Sequence, residues 1–212
     1  MFKKAQILIK DNSVSSVLLL FSSLIFIFLL PVFKFPTAII SITLFSIILF
    51  LAAYSISRKA ILIGIVAILI ELATRASDFI YLNYLAVIIT NLFIIFIVGS
   101  VIKELVSRKN VTIYTLIDAI NGYLLLGIMF ISLVVFCDLY IPGSYNAAGK
   151  TDMELVYYTM ITLTTAGYGD ITPQLPLSQS LSMFIAVTGQ FYVAVIVAIL
   201  VGKFSSSSNR QD

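Results

Sequence analysis

The 212-residue sequence contains no histidine and a single cysteine, Cys137. These absences exclude a histidine-based metal site, a site built from several cysteines, and a disulfide within the chain. Charged residues are also scarce, at 11% of the sequence, whereas a soluble domain of this length carries about a quarter. With 60% hydrophobic residues and a mean hydropathy of +1.10, the composition predicts an all-α integral membrane protein.

The same scarcity argues against two further functions. Catalysis within a membrane needs polar groups that converge, and the apolar runs contain no histidine, no paired carboxylates and no nucleophile beside a base. The sequence therefore predicts no enzyme. A net charge of +3 is too small to indicate a nucleic-acid partner.

Six runs with few or no charges predict six transmembrane helices. A helix needs about 20 apolar residues to cross the hydrocarbon core. Five runs meet or approach this length, whereas the third is marginal because Glu71 lies near its end. Since Pro173 and Pro176 interrupt the start of the last run, we expect its helix to begin near Leu177. In chain order the runs are 14–33, 35–57, 60–74, 79–102, 119–137 and 171–202.

Lysine and arginine residues predict the orientation, because cytoplasmic segments are enriched in them. With both termini inside, three of the 13 lie outside, namely Lys34, Arg75 and Lys150. The ten inner ones are Lys3, Lys4, Lys10, Arg58, Lys59, Lys103, Arg108, Lys109, Lys203 and Arg210. In the absence of a sorting signal or a large cytoplasmic domain, we expect the plasma (inner) membrane of a prokaryote, with lipid as a partner.

The segment between the last two runs reads Thr-Leu-Thr-Thr-Ala-Gly-Tyr-Gly-Asp over residues 162–170. Potassium filters are four copies of a Thr-Val-Gly-Tyr-Gly loop whose backbone carbonyls replace the water shell of the ion. Carbonyls can point at one axis only if the backbone adopts unusual dihedrals, and glycine enters the region of positive φ without a steric clash. Four of the five positions match in Thr165, Ala166, Gly167, Tyr168 and Gly169.

This stretch resembles the pore signature of the potassium channel superfamily. The resemblance implies a re-entrant pore helix over Asp152–Thr164 and a filter at 165–169, between the fifth and sixth transmembrane helices. It also implies K+ sites at Thr165, Ala166, Gly167 and Tyr168, with K+ as the permeant ion and no cofactor. Because one chain supplies a quarter of the ring, the implied assembly is a homotetramer. Ala166 replaces the usual valine, which predicts a less rigid filter and makes a nonselective cation channel the alternative.

Other positions take their roles from the same resemblance. Tyr157, Tyr158 and Thr164 fall where relatives brace the filter, although membrane-interface tyrosines are the alternative for the first two. Asp170 ends the filter, and four copies would form a ring of carboxylates that concentrates cations at the outer mouth. Gly189 falls where relatives bend the inner helix to open the gate. A small residue that lets helices approach closely is the equal alternative.

The sequence divides into a four-span region, residues 1–109, a pore region, residues 110–204, and a short cytoplasmic tail, residues 205–212, which we expect to be disordered. An interfacial helix over Lys103–Ala119 is expected as the link. The fourth run carries no lysine or arginine, so the charges on which voltage acts are missing. We therefore expect a tetrameric K+ channel with weak or no voltage dependence. A non-conducting membrane assembly subunit is the second alternative.

Overall fold

A computed structural model describes residues 14–32, 37–56, 58–75, 80–107, 112–146 and 152–208. The described residues are mostly helical, and none of the described segments forms a β-strand. The all-α prediction is therefore confirmed. The helices are α1 (Val14–Val32), α2 (Thr37–Ile56), α3 (Arg58–Arg75), α4 (Ile80–Ser107), α5 (Ile113–Tyr140), α6 (Asp152–Leu163) and α7 (Pro176–Ser208).

Four helices are long and apolar enough to cross a membrane, judged by length and composition. They are α1, α5, the part of α4 from Tyr84 onward, and the part of α7 up to Lys203. The apolar stretches of α2 and α3 are shorter, covering Thr43–Ser55 and Ala60–Ala73. Each predicted run thus corresponds to a helix. Within the described residues, four of these six helices are long enough to cross a membrane.

Local sequence explains where the helices of the pore region begin. Thr112 caps α5, because its hydroxyl accepts the Thr115 amide at 3.3 Å while the Thr115 hydroxyl accepts the Thr112 amide at 3.2 Å. α7 begins at Pro176, a residue suited to the first helical position because the amide there has no partner within the helix. The Ser178 hydroxyl then accepts the Leu175 amide at 3.2 Å. The start of α7 lies one residue before the predicted one.

Two predictions at helix ends are wrong. Residues 103–107 complete α4 and residues 113–119 begin α5, so no separate interfacial helix covers Lys103–Ala119. The capped start of α5 explains the difference, since it joins these residues to a spanning helix. The prediction of a disordered tail is wrong for residues 205–208, because α7 continues to Ser208.

Part of the predicted topology falls on residues that the structure does not describe. Residues 209–212 of the tail are among them. So are most of the basic residues that predict the orientation: Lys3, Lys4, Lys10, Lys34, Arg108, Lys109, Lys150 and Arg210.

The helices share a continuous apolar core that places α6 between α5 and α7. α4 packs most extensively against α5 and also contacts α3, while α2 packs against α3 and α4. The end of α1 contacts α6. The side-chain amide of Asn121 on α5 donates to the backbone carbonyl of Ser16, near the start of α1, at 2.8 Å. Fully buried side chains come from both halves, as Ile48, Ile94 and Phe130 illustrate. α5 and α7 therefore determine where α6 and the loop after it lie.

Candidate functional site

The loop after α6 has an unusual backbone. Thr165, Gly167 and Gly169 have φ of 61°, 51° and 78°, whereas the intervening Ala166 and Tyr168 have no positive φ. Residues that alternate in handedness bring successive amide N–H groups to one side of the chain. A segment of this kind is able to present its carbonyls on the other side, as a row of oxygen atoms along one edge. Such rows suit hard cations, which prefer oxygen ligands.

α6 enters this loop through a left-handed C-terminal turn. The Thr165 amide donates to the Thr162 carbonyl at 3.0 Å and the Ala166 amide donates to the Ile161 carbonyl at 2.9 Å, which together form a Schellman motif. Glycine usually occupies the left-handed position of this motif. Thr165 is β-branched, so its positive φ is strained, and strain of this kind persists only where the surroundings hold it. The last turn of α6 therefore fixes the position of Thr165.

Two glycines allow close packing around the last turn of α6. A Cβ on Gly127 of α5 would lie 2.7 Å from the Met160 sulfur, and a Cβ on Gly189 of α7 would lie 2.1 Å from the Leu163 carbonyl oxygen. A backbone oxygen cannot rotate away as a side chain can. α7 also continues through Gly189 without interruption. Of the two roles considered for Gly189, the geometry favours close approach, and the hinge role stays a prediction.

Of the predicted braces, Tyr158 connects α6 to another helix, whereas Thr164 bonds to α6 itself. Tyr158 is buried, and its hydroxyl hydrogen-bonds to the Ser182 hydroxyl on α7. The ring of Tyr145, from the loop after α5, packs against the ring of Tyr158 with 5.1 Å between centroids. Burial raises the pKa of the Tyr145 phenol above its ordinary 10.0, so this residue is neutral at physiological pH. Thr164 turns back toward α6, and its hydroxyl donates to the Met160 carbonyl at 3.0 Å.

The third predicted brace lies near the end of the loop. Tyr157 is 38% exposed, and its hydroxyl lies in the neighbourhood of the Asp170 carboxylate. Tyr157 and Asp170 therefore share the exposed end of the site. Tyr168, by contrast, is 74% exposed, so its own chain supplies little of the packing that a rigid filter needs.

Hydrogen bonds also connect the loop after α5, at residues 144–146, to the loop before α7, at residues 172–174. The Asn146 amide donates to the Thr172 carbonyl at 3.1 Å, and the Gln174 amide donates to the Ser144 carbonyl at 2.8 Å. The Thr172 amide donates in turn to the Asn146 side-chain oxygen at 2.7 Å. These bonds fix the outer end of the site, and no sequence motif identified them in advance.

Two tyrosines that the sequence analysis missed lie at the inner end of the site. The Tyr123 hydroxyl on α5 donates to the Leu163 carbonyl at 3.3 Å. The Tyr192 hydroxyl on α7 donates to the Ala119 carbonyl at 2.7 Å, in a space left by Gly122, where a Cβ would lie 2.2 Å from that hydroxyl. The signal that points to them is a phenol inside an apolar run, because a hydroxyl in the membrane interior needs a partner.

The C-terminal part of α7 contacts the end of α4. Lys203 donates to the Val106 carbonyl at 3.0 Å and also to the Leu105 carbonyl, both in the last turn of α4. A cation at a helix C-terminus is stabilised by the unpaired carbonyls and by the helix dipole. The far end of the site is therefore joined directly to the N-terminal region.

Residues 122–206 match the model of a family described as ion channel. The matched segment begins within α5 and ends within α7, so it contains α6 and the whole loop with alternating φ. The match supports the ion channel superfamily, and thus a transporter-type protein rather than an enzyme. Together with the apolar helices, it indicates an integral membrane protein.

Proposed function

We propose that the protein is a homotetrameric potassium channel that conducts K+ passively through a filter formed by residues 165–169. The observation that carries the proposal is the alternation of φ at Thr165, Gly167 and Gly169. It supports the proposal because alternating handedness is the backbone geometry that lets successive carbonyls face one side, as a filter that replaces the water shell of K+ requires. The proposed topology has six spans, with α6 re-entrant from the outside and both termini in the cytoplasm of a prokaryotic cell.

Tetramer formation is supported by surface that the single chain leaves uncovered. Only 22% of the α7 span is buried, compared with 67% of the α5 span. Phe184, Val187 and Phe191 on α7 and the ring of Tyr168 are exposed. Four copies around one axis would cover much of this surface and complete a ring of carbonyls, because a cyclic assembly presents the same loop from each subunit.

Selectivity for K+ over Na+ depends on how firmly the ring keeps its diameter. Thr165 is held by the last turn of α6, where its amide donates to the Thr162 carbonyl at 3.0 Å. The side chain of Ala166 is smaller than the usual valine, which favours a nonselective cation channel as the second candidate. The carbonyl that residue 166 contributes is the same in either case.

The proposed channel responds weakly or not at all to voltage. Between residues 79 and 102 the sequence contains no lysine or arginine. Each charge that moves through the membrane contributes about 2.3 kcal/mol per 100 mV, so a segment without charges gives the field nothing to move. We expect open probability to be nearly constant from −100 to +100 mV, values on the order of a physiological membrane potential.

A bilayer recording tests the proposal. Purified protein would be reconstituted with a potassium salt on one side and a sodium salt on the other. A reversal potential near the Nernst value for K+ is expected. Current with a reversal potential near zero would support the nonselective channel. Tetramers that carry no current at any voltage would contradict conduction and support the non-conducting assembly subunit.

A further inference from the structure

The Leu163 carbonyl differs from the three carbonyls that precede it. The last four carbonyls of a helix have no amide partner within that helix unless the chain turns back on itself. At the end of α6 the chain does turn back, and the amides of residues 164–167 donate to the carbonyls of Met160, Ile161 and Thr162. The Leu163 carbonyl receives its donor from another helix, namely the Tyr123 hydroxyl at 3.3 Å.

This hydrogen bond lies beside a close contact with the third helix of the pore region. The Cα of Gly189 is so close to Leu163 that a Cβ there would lie 2.1 Å from the same carbonyl oxygen. The carbonyl is thus confined by Gly189 on α7 and held by Tyr123 on α5. It also lies two residues before Thr165, the strained first residue of the filter.

The ring of Tyr123 is itself held in place. Its centroid lies 5.7 Å from that of Tyr192, which reaches across from α7. The Tyr192 hydroxyl donates to the Ala119 carbonyl at 2.7 Å, one helical turn before Tyr123. Gly122 provides the space for that hydroxyl. The two tyrosines therefore form a paired contact between α5 and α7 directly beneath the filter.

We propose that Tyr123 is a positioning residue for the selectivity filter and that Tyr192 keeps Tyr123 in place. The left-handed conformation of Thr165 is unfavourable for a β-branched residue, so the last turn of α6 relaxes if its end is free to move. The hydrogen bond from Tyr123 to Leu163 opposes that relaxation. It thereby sets the position of the Thr165 carbonyl and hydroxyl, the innermost ligands of the filter. This inference rests on the proposed channel function.

Tyr123→Phe tests the inference, because it removes the hydroxyl and keeps the ring. We expect the ratio of Na+ to K+ permeability to rise by about three- to tenfold, the factor that one lost hydrogen bond represents. Bound K+ should also protect the tetramer from thermal dissociation. We would measure the dissociation temperature in K+ and in Na+, and we expect the K+ affinity obtained from this comparison to fall by a similar factor in the variant. The matched control is Tyr114→Phe, since Tyr114 lies at the exposed start of the same helix.

The outcomes separate the inference from the function. A selective wild-type channel whose Tyr123→Phe variant keeps both the permeability ratio and the K+ affinity overturns the inference alone. A wild-type protein with neither K+ current nor protection by K+ overturns the proposed function and the inference with it. If Tyr123→Phe does not assemble, Tyr192→Phe carries the test, with a smaller shift expected in the same direction and no shift contradicting the inference.

Discussion

The first four helices and the pore region use their polar side chains differently. Ser22, Ser55 and Ser100 each donate to a carbonyl three or four residues earlier in their own helix. Serine and threonine hydroxyls of the pore region form such bonds too, as Ser182 and Thr162 do, but its tyrosine hydroxyls also cross from one helix to another, as Tyr158 and Tyr123 do. A bond within one helix leaves the neighbouring helices free to slide, whereas a bond between helices specifies their register. The comparison teaches that tyrosine hydroxyls position α6.

Closely packed glycines occur in both regions, but the atoms that an added Cβ would meet are different. A Cβ on Gly64 of α3 would lie 2.9 Å from the Ala53 side chain, whereas a Cβ on Gly189 would meet the Leu163 backbone. A neighbouring side chain can give way through a small shift of its helix. A backbone carbonyl at the end of α6 can move only if the loop after α6 moves with it. Gly189 is therefore tied to the position of that loop, whereas Gly64 is tied to side-chain packing.

Gly167→Ala should produce the largest effect on conduction. The φ of Gly167 is 51°, and a residue with a side chain pays about 1–2 kcal/mol to adopt it. Since the proposed tetramer places four copies of this residue in one ring, we expect K+ current to fall by more than about tenfold. The measurement is current per reconstituted tetramer. Gly99→Ala on α4 is the matched control, because a Cβ there meets nothing within 4 Å. Equal loss of current in both variants would contradict the difference between the regions.

Gly189→Ala should weaken the pore region next most strongly. The added methyl group overlaps the Leu163 carbonyl, and overpacking of this kind costs about 1–3 kcal/mol. We expect a lower temperature of tetramer dissociation and a smaller current. The control is Gly202→Ala in the same helix, where a Cβ would meet nothing within 4 Å. A variant at 189 that matches the control in both measurements would show that the close approach is dispensable.

The two regions meet at Asn91 on α4 and Ser132 on α5. The side-chain amide nitrogen of Asn91 donates to the Ser132 hydroxyl at 2.9 Å, and that hydroxyl lies 3.2 Å from the side-chain oxygen of Asn91. A double-mutant cycle with Asn91→Ala and Ser132→Ala should give a coupling energy of about 0.6 kcal/mol, since hydrogen bonds between membrane helices average that value. The measurement is the free energy of unfolding in detergent. A coupling energy near zero would mean that apolar packing alone joins α4 to α5.

Lys203→Met should have the smallest effect. It removes the donor to the Leu105 and Val106 carbonyls, a contribution of about 0.3–1 kcal/mol for a cation at a helix C-terminus. We expect a modest change in open probability, because the contact joins the inner end of α7 to α4. Single-channel recording measures it. Lys103→Met, which removes an exposed lysine on α4, is the control and should leave open probability unchanged.

Several features of the pore region could be read from residue order alone. Gly167 and Gly169 are the positions that the sequence predicts to adopt unusual dihedrals, and both have a positive φ, whereas the positive φ of Thr165 was not predicted. The predicted pore helix 152–164 differs from α6 by one residue, because a hydrophobic segment followed by Gly-Tyr-Gly leaves little choice of where the helix ends. The interfacial link over Lys103–Ala119 was wrong, since amphipathic spacing does not reveal that Thr112 and Thr115 cap a new helix between its ends.

The sequence by itself determined the class of protein, the approximate position of each helix and the segment that forms the candidate filter. These follow from local properties, namely apolar length and the freedom of glycine to adopt positive φ. Only the tertiary structure decided which groups hold that segment, such as Tyr123 against the Leu163 carbonyl and Gly189 beneath it. Residues 40 positions apart meet there, and a one-dimensional pattern carries no information about which hydroxyl reaches which unpaired carbonyl.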